Sequence, residues 1–213
     1  MSHRGSSSVP RETIARTERP VAPRATGPSP PRRTEEDHVG MKPLLLIDID
    51  GPLNPYAALM NRRVPDGYTR HWTRPTGWEF GPPLPVLLNP EHGLALLGLA
   101  GRYELVWATT WMDEANVWIG PRLGLPPLPY IDWPSLPVAA PEDTYWKTPY
   151  IVAYAAGRPF AWIDDEIADR DREWVHGQGA AALLLWIDPR TGLLPGDFET
   201  LAGWADGRRG GAR

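Results

Sequence analysis

The chain predicts an α/β fold, a parallel sheet with helices on both faces, and three observations predict it. From residue 41 onward, short apolar runs alternate with helix-like segments, the pattern of parallel strands buried on both sides. The first run, Leu44-Leu45-Leu46-Ile47, passes straight into Asp48-Ile49-Asp50 and breaks at Gly51-Pro52. In open α/β sheets ligands bind beyond the carboxyl ends of the strands, so acids at such an end mark a candidate site. Residues 52–90 then interrupt the rhythm with prolines and aromatics, which predicts an insert on a Rossmannoid core.

Taken in order, residues 1–40 are rich in Arg, Pro, Ser and Thr, with only Val9, Ile14, Val21 and Val39 as large aliphatics. Such a segment buries too little apolar surface to offset its ordering entropy, so a disordered tail is expected there. A start of translation at Met41 accounts for it equally well. The domain is expected to span 41–205, with 206–213 as a flexible C-terminus. Its strands are read at Leu44–Ile49, Tyr103–Ala108, Ala161–Ile163 and Ala182–Ile187, and its helices at Glu91–Ala100, Asp113–Gly120 and Thr148–Ala156. The insert is read as a β-hairpin in "YTRHWTRPTGWEF", residues 68–80, turning at Pro-Thr-Gly.

Composition removes several function classes. The formal net charge of -4 argues against a general nucleic-acid binder, though not against a local basic groove. With no cysteine there is neither a disulfide nor a cysteine-ligated zinc, and a reducing cytoplasm is the expected compartment. No apolar run approaches the roughly 18 residues of a membrane span, so no membrane partner is expected. No phosphate-binding GxxxxGK[ST] loop or GxSxG elbow occurs, and the five His lack metal-ligand spacing.

What remains is a set of polar residues at successive strand ends. Asp48 and Asp50 lie two apart and face one site while the strand lasts. Two carboxylates about 4 Å apart repel by roughly 4 kcal/mol at an effective dielectric near 20, which a bound cation would offset. The run "YELVWATTW" ends in Thr109 and Thr110, Lys147 stands at the start of a helix, and "FAWIDDE" ends in Asp164-Asp165. A carboxylate nucleophile, oxygen ligands for a hard cation and donors for phosphoryl oxygens are the parts needed for phosphoryl transfer through an aspartyl phosphate. Each is weak alone: Thr109 as a strand end, Lys147 as a solvated helix residue and Asp164-Asp165 as a helix cap are all ordinary. Their order carries the reading.

In that order the sequence resembles the haloacid dehalogenase-like (HAD) superfamily of phosphatases over about residues 43–190. The resemblance implies that Asp48 attacks phosphorus and that Asp50 protonates the leaving group, then activates water. It implies that Thr109 and Lys147 hold the phosphoryl group, and that Mg2+ sits between Asp48, the backbone carbonyl of Asp50 and Asp164, with Asp165 close by. Thr110, Gly51 and Trp111 are expected beside the substrate. Receiver domains use similar residues but put their acid pair first and their Lys on the last strand, whereas Lys147 precedes the second acid pair, and the dehalogenases lack the second Asp of DxD. The spacing leaves room only for a minimal cap, the hairpin, so bulky phosphorylated substrates are admitted. Trp72, Trp78 and Trp111, with Arg62, Arg63, Arg70 and Arg74, suit a nucleic-acid end, and "ATTW" is similar to the HAD-like domains of RNA-repair proteins. Packing of the tryptophans onto the domain is the favoured reading of the aromatics. The function implied is a Mg2+-dependent phosphomonoester phosphatase. A polynucleotide-end phosphatase and a catalytically idle binding module of the same fold remain alternatives.

Overall fold

The computed structural model describes residues 41–60, 63–76, 78, 80–134 and 140–210; the expected tail and Arg62 lie outside them. The four anticipated strands form one parallel sheet. β1 (Leu44–Ile47), β4 (Glu104–Trp107), β5 (Phe160–Asp164) and β6 (Ala182–Trp186) are ordered β4-β1-β5-β6, with β1 and β5 central. The near-continuous apolar character of β1, β4 and β5 follows from burial on both faces, whereas β6 at the edge is half-buried; the side chains divide by parity. Leu45, Ile47, Leu105, Trp107, Ala161 and Ile163 face one core. It is closed by α2 (Pro90–Leu99), α3 (Glu114–Trp118), α4 (Gly120–Leu123) and α7 (Pro195–Gly210). Leu44, Leu46, Val106, Phe160 and Trp162 face the other, closed by α5 (Thr148–Ala155) and α6 (Asp169–Gly177).

Helix boundaries follow local chemistry. The Asn89 side chain accepts the Glu91 N–H at 3.0 Å with Pro90 at the first position, which starts α2. The single helix expected over 113–120 is instead the two short helices α3 and α4, because Pro121 has no N–H to continue the first one. α7 was not anticipated, and it carries the domain past the expected boundary at 205. There Asp206 pairs with Arg102 at 2.8 Å and Arg208 stacks on Trp204.

The insert differs from expectation. It begins with α1 (Tyr56–Met60), and its hairpin pairs β2 (Thr69–Thr73) with β3 (Leu84–Leu88), not with residues up to 80. Pro75 and Thr76 of the turn signal lie inside the connection, with Gly77 outside the described residues, whereas Val86 and Leu88 bring apolar side chains to the core. Pro85 is tolerated because the ribbon has only two strands. Trp111 packs on the first core as expected, but Trp72 and Trp78 stay 57% and 42% exposed. No helix among the described residues is long and apolar enough to cross a membrane.

Candidate active site

Strand register builds the site. Ile47 is level with Ile163 on β5, and the pairing continues one residue further as the Asp48 N–H donates to the Ile163 carbonyl at 3.0 Å. Asp48 and Asp164 therefore emerge side by side. By parity they share the sheet face of Leu46 and Trp162, the face that α5 covers. Lys147, the residue before α5, arrives between them. Its Nζ lies 3.1 Å from Asp48 Oδ2 and 2.9 Å from Asp164 Oδ2. All three side chains are buried, Lys147 at 2% exposure and Asp164 at 0%. The remaining Asp164 oxygen accepts the Glu166 N–H at 2.9 Å.

Burial works against the Lys147 charge, but Asp48 and Asp164 outweigh it and hold the ammonium above its usual range. Burial pushes the Asp48 carboxyl well above the carboxylate range despite Lys147, with Asp164 and Asp50 adding to the rise. Asp165 is pushed up to about 6, chiefly by burial, while its hydrogen bond from Tyr56 opposes the shift. The cluster is thus short of positive charge.

Asp165 completes it. One oxygen each from Asp48, Asp164 and Asp165 lie within 4.8 Å of one another. Three hard oxygens in a charge-deficient pocket fit a divalent cation. The Asp50 carboxylate is not in that set. Its Oδ2 accepts the Trp111 indole N–H at 2.9 Å and its Oδ1 the Asn54 amide at 2.7 Å.

The site opens into a cavity of about 340 Å³ whose floor carries Asp48, Asp50, Lys147 and Asp165. Tyr56 and Tyr145 stand in its wall. The Tyr56 hydroxyl donates to Asp165 at 2.9 Å, and the Tyr145 ring lies 5.5 Å from Lys147 Nζ and stacks on Trp162. Of the two threonines, Thr110 lines the cavity; Thr109 is buried, its Oγ accepting the Trp111 N–H at 3.4 Å. Gly51 is not in the wall either. It has φ +93°, and any Cβ there would overlap the Asp165 carboxyl, so glycine lets the first loop close against that acid. Trp111, expected beside the substrate, donates its indole N–H to Asp50.

Three contributors went unread in the sequence. Asn54 and Tyr56 reach the acids only through the fold of the insert. Asp171, 1% exposed, accepts the Tyr145 N–H at 2.8 Å and the Thr148 hydroxyl, clamping the turn on both sides of Lys147. Its signal was an acid in the first turn of α6, where it also accepts the Ala168 N–H at 2.9 Å. Asp169, two residues earlier in the same turn, is exposed and pairs with Arg172 at 3.2 Å. No family model, no curated protein and no solved structure matches this chain.

Proposed function

We propose that the domain is a HAD-like phosphatase with a minimal hairpin cap, hydrolysing phosphomonoesters through a phosphoryl group carried on Asp48. The single observation that carries this reading is the buried Lys147 bridge between Asp48 and Asp164, at the carboxyl ends of adjacent parallel strands and beside a third acid. Burying that many charges costs several kcal/mol per ion, an expense that a structural role alone rarely justifies.

Asp48, Asp164 and Asp165 would hold Mg2+, which would supply positive charge against the phosphoryl oxygens. Everything else belongs to the chain. An Asp48 oxygen attacks phosphorus and the bond from phosphorus to the ester oxygen breaks. The departing oxygen takes a proton from Asp50. Asp50, now a carboxylate, takes a proton from water as that water attacks phosphorus; the bond to Asp48 breaks, and inorganic phosphate leaves. Lys147 faces the growing negative charge and keeps the two acids apart, while Thr110 offers its hydroxyl to a phosphoryl oxygen.

The test is release of phosphate from a generic aryl phosphate with Mg2+, abolished by EDTA and by Asp48→Asn. An Asp48→Asn protein with full activity would sink the mechanism. The exposed Trp72 and Trp78 favour one second reading, a phosphorylated polynucleotide end as substrate. Rates on matched 3′- or 5′-phosphorylated oligonucleotides and on small esters decide it.

A further inference from the structure

We infer that Trp111 and Asn54 are positioning residues for Asp50, and that Asn54 makes the orientation of that acid depend on docking of the hairpin. The inference rests on the phosphatase reading and concerns only how its proton donor is aimed.

Each oxygen of the Asp50 carboxylate accepts one N–H, from the Trp111 indole at 2.9 Å and from the Asn54 amide at 2.7 Å. The two donors come from opposite sides in sequence, Trp111 from the loop after β4 and Asn54 from the turn after β1. With both oxygens engaged, the carboxyl plane is fixed, and each oxygen keeps a further lone pair for the cavity that it lines.

The Asn54 amide is itself oriented by chemistry. Its Oδ1 accepts the Leu87 N–H of β3 at 2.8 Å. A backbone N–H can only donate, so the amide oxygen must face Leu87 and the amide nitrogen must face Asp50. Asn54 is 3% exposed, and its own backbone closes the turn, its N–H donating to the Ile49 carbonyl and its carbonyl accepting the Gly51 N–H. A chain of hydrogen bonds thus runs from Leu87 through Asn54 to Asp50. Trp111 is set from the other side, its backbone N–H on Thr109 Oγ and the next residue, Met112, in a left-handed turn at φ 48°.

A residue that merely stabilises the fold slows every substrate alike. One that aims a proton donor matters in proportion to how badly the leaving group needs the proton. The experiment compares an alkyl phosphate with a dinitrophenyl phosphate, whose leaving group departs as an anion unaided. It uses the full chain with Mg2+, and the variants Trp111→Phe, which keeps a ring and deletes the N–H, and Asn54→Leu, which keeps the shape and deletes the amide without placing a charge beside Asp50. Each variant is expected to lose about 10- to 100-fold in kcat/KM on the alkyl ester, the range that small misplacements of a reacting group produce. On the dinitrophenyl ester kcat/KM, which reports transfer to Asp48, should stay within about twofold, while kcat falls because Asp50 also activates the water that frees Asp48. Equal losses of kcat/KM on the two esters, or no loss on the alkyl ester, overturn the inference. If Trp111→Phe does not fold, Asn54→Leu carries the test. An unmutated protein that hydrolyses neither ester removes the phosphatase reading and this inference with it, a result distinct from an active parent whose variants show no leaving-group selectivity.

Discussion

Lys147→Met removes the one cation that two buried carboxylates share. At an effective dielectric near 20, a contact of about 3 Å between unit charges is worth roughly 5–6 kcal/mol, and Lys147 makes two, at 3.1 and 2.9 Å. Desolvation of all three groups cancels much of that. Deleting one partner, however, leaves the others buried and facing each other, which costs about 3–5 kcal/mol. One ammonium serving two acids puts this site at the upper end. In a domain of this size each kcal/mol moves Tm by about 2–4 °C, so Lys147→Met should melt roughly 10–20 °C below the parent. Methionine keeps the length of the side chain, so packing loss contributes little. Adding Asp164→Asn to the same protein should return part of the loss, because it removes one of the two opposed charges. The assay is a set of thermal and urea unfolding curves for the parent, the single and the double variant near pH 7. A Lys147→Met protein melting within about 2 °C of the parent would refute the bridge.

Two further predictions use groups away from the bridge. His92, 7% exposed between Tyr68 and Phe198, has its imidazole pushed down from 6.5 to about 4 by burial. Its contribution is full above pH 6.5 and is lost as pH falls toward 4, because the unfolded chain takes up the proton first; the loss amounts to about 3 kcal/mol. His92→Phe should flatten that part of the stability–pH curve, measured by urea unfolding at several pH values, and an unchanged slope would count against it. Asp171→Asn should cost about 2 kcal/mol by weakening charge-assisted bonds to Tyr145 and Thr148, and should lower kcat because Lys147 lies between them. A variant with reduced stability and unaltered kcat would show that the clamp does not position Lys147.

Much of the core was legible in the sequence because its physics is local. Runs such as Leu44-Leu45-Leu46-Ile47 and Phe160-Ala161-Trp162-Ile163 have no polar face, and only a strand covered on both sides uses such a run. Once these are parallel neighbours, Asp48 and Asp164 must stand together at their ends, and Lys147 before α5 must approach that same face. The hairpin was misread because a Pro-Thr-Gly turn is a strong local signal, while the true partner strand carries Pro85 and is chosen by burial of Val86, Leu87 and Leu88. α7 was missed because Gly196, Gly203 and Gly207 weaken its helical signal, and Leu201 and Ala205 earn their helix by packing on the sheet. The Trp111–Asp50 and Tyr56–Asp165 bonds join residues 61 and 109 positions apart, which no local pattern announces. Trp111 therefore read as an aromatic surface when its indole N–H was the part in use.

The central claim, a phosphoryl group carried on Asp48, is open to direct trapping. Protein mixed with a phosphate ester and Mg2+ is quenched in acid within a turnover, digested, and its peptides are weighed. The account predicts a phosphoryl adduct on the peptide containing Asp48, absent without Mg2+ and absent from Asp48→Asn. Hydrolysis that proceeds with the adduct on another residue, or with undiminished turnover in Asp48→Asn, would contradict it.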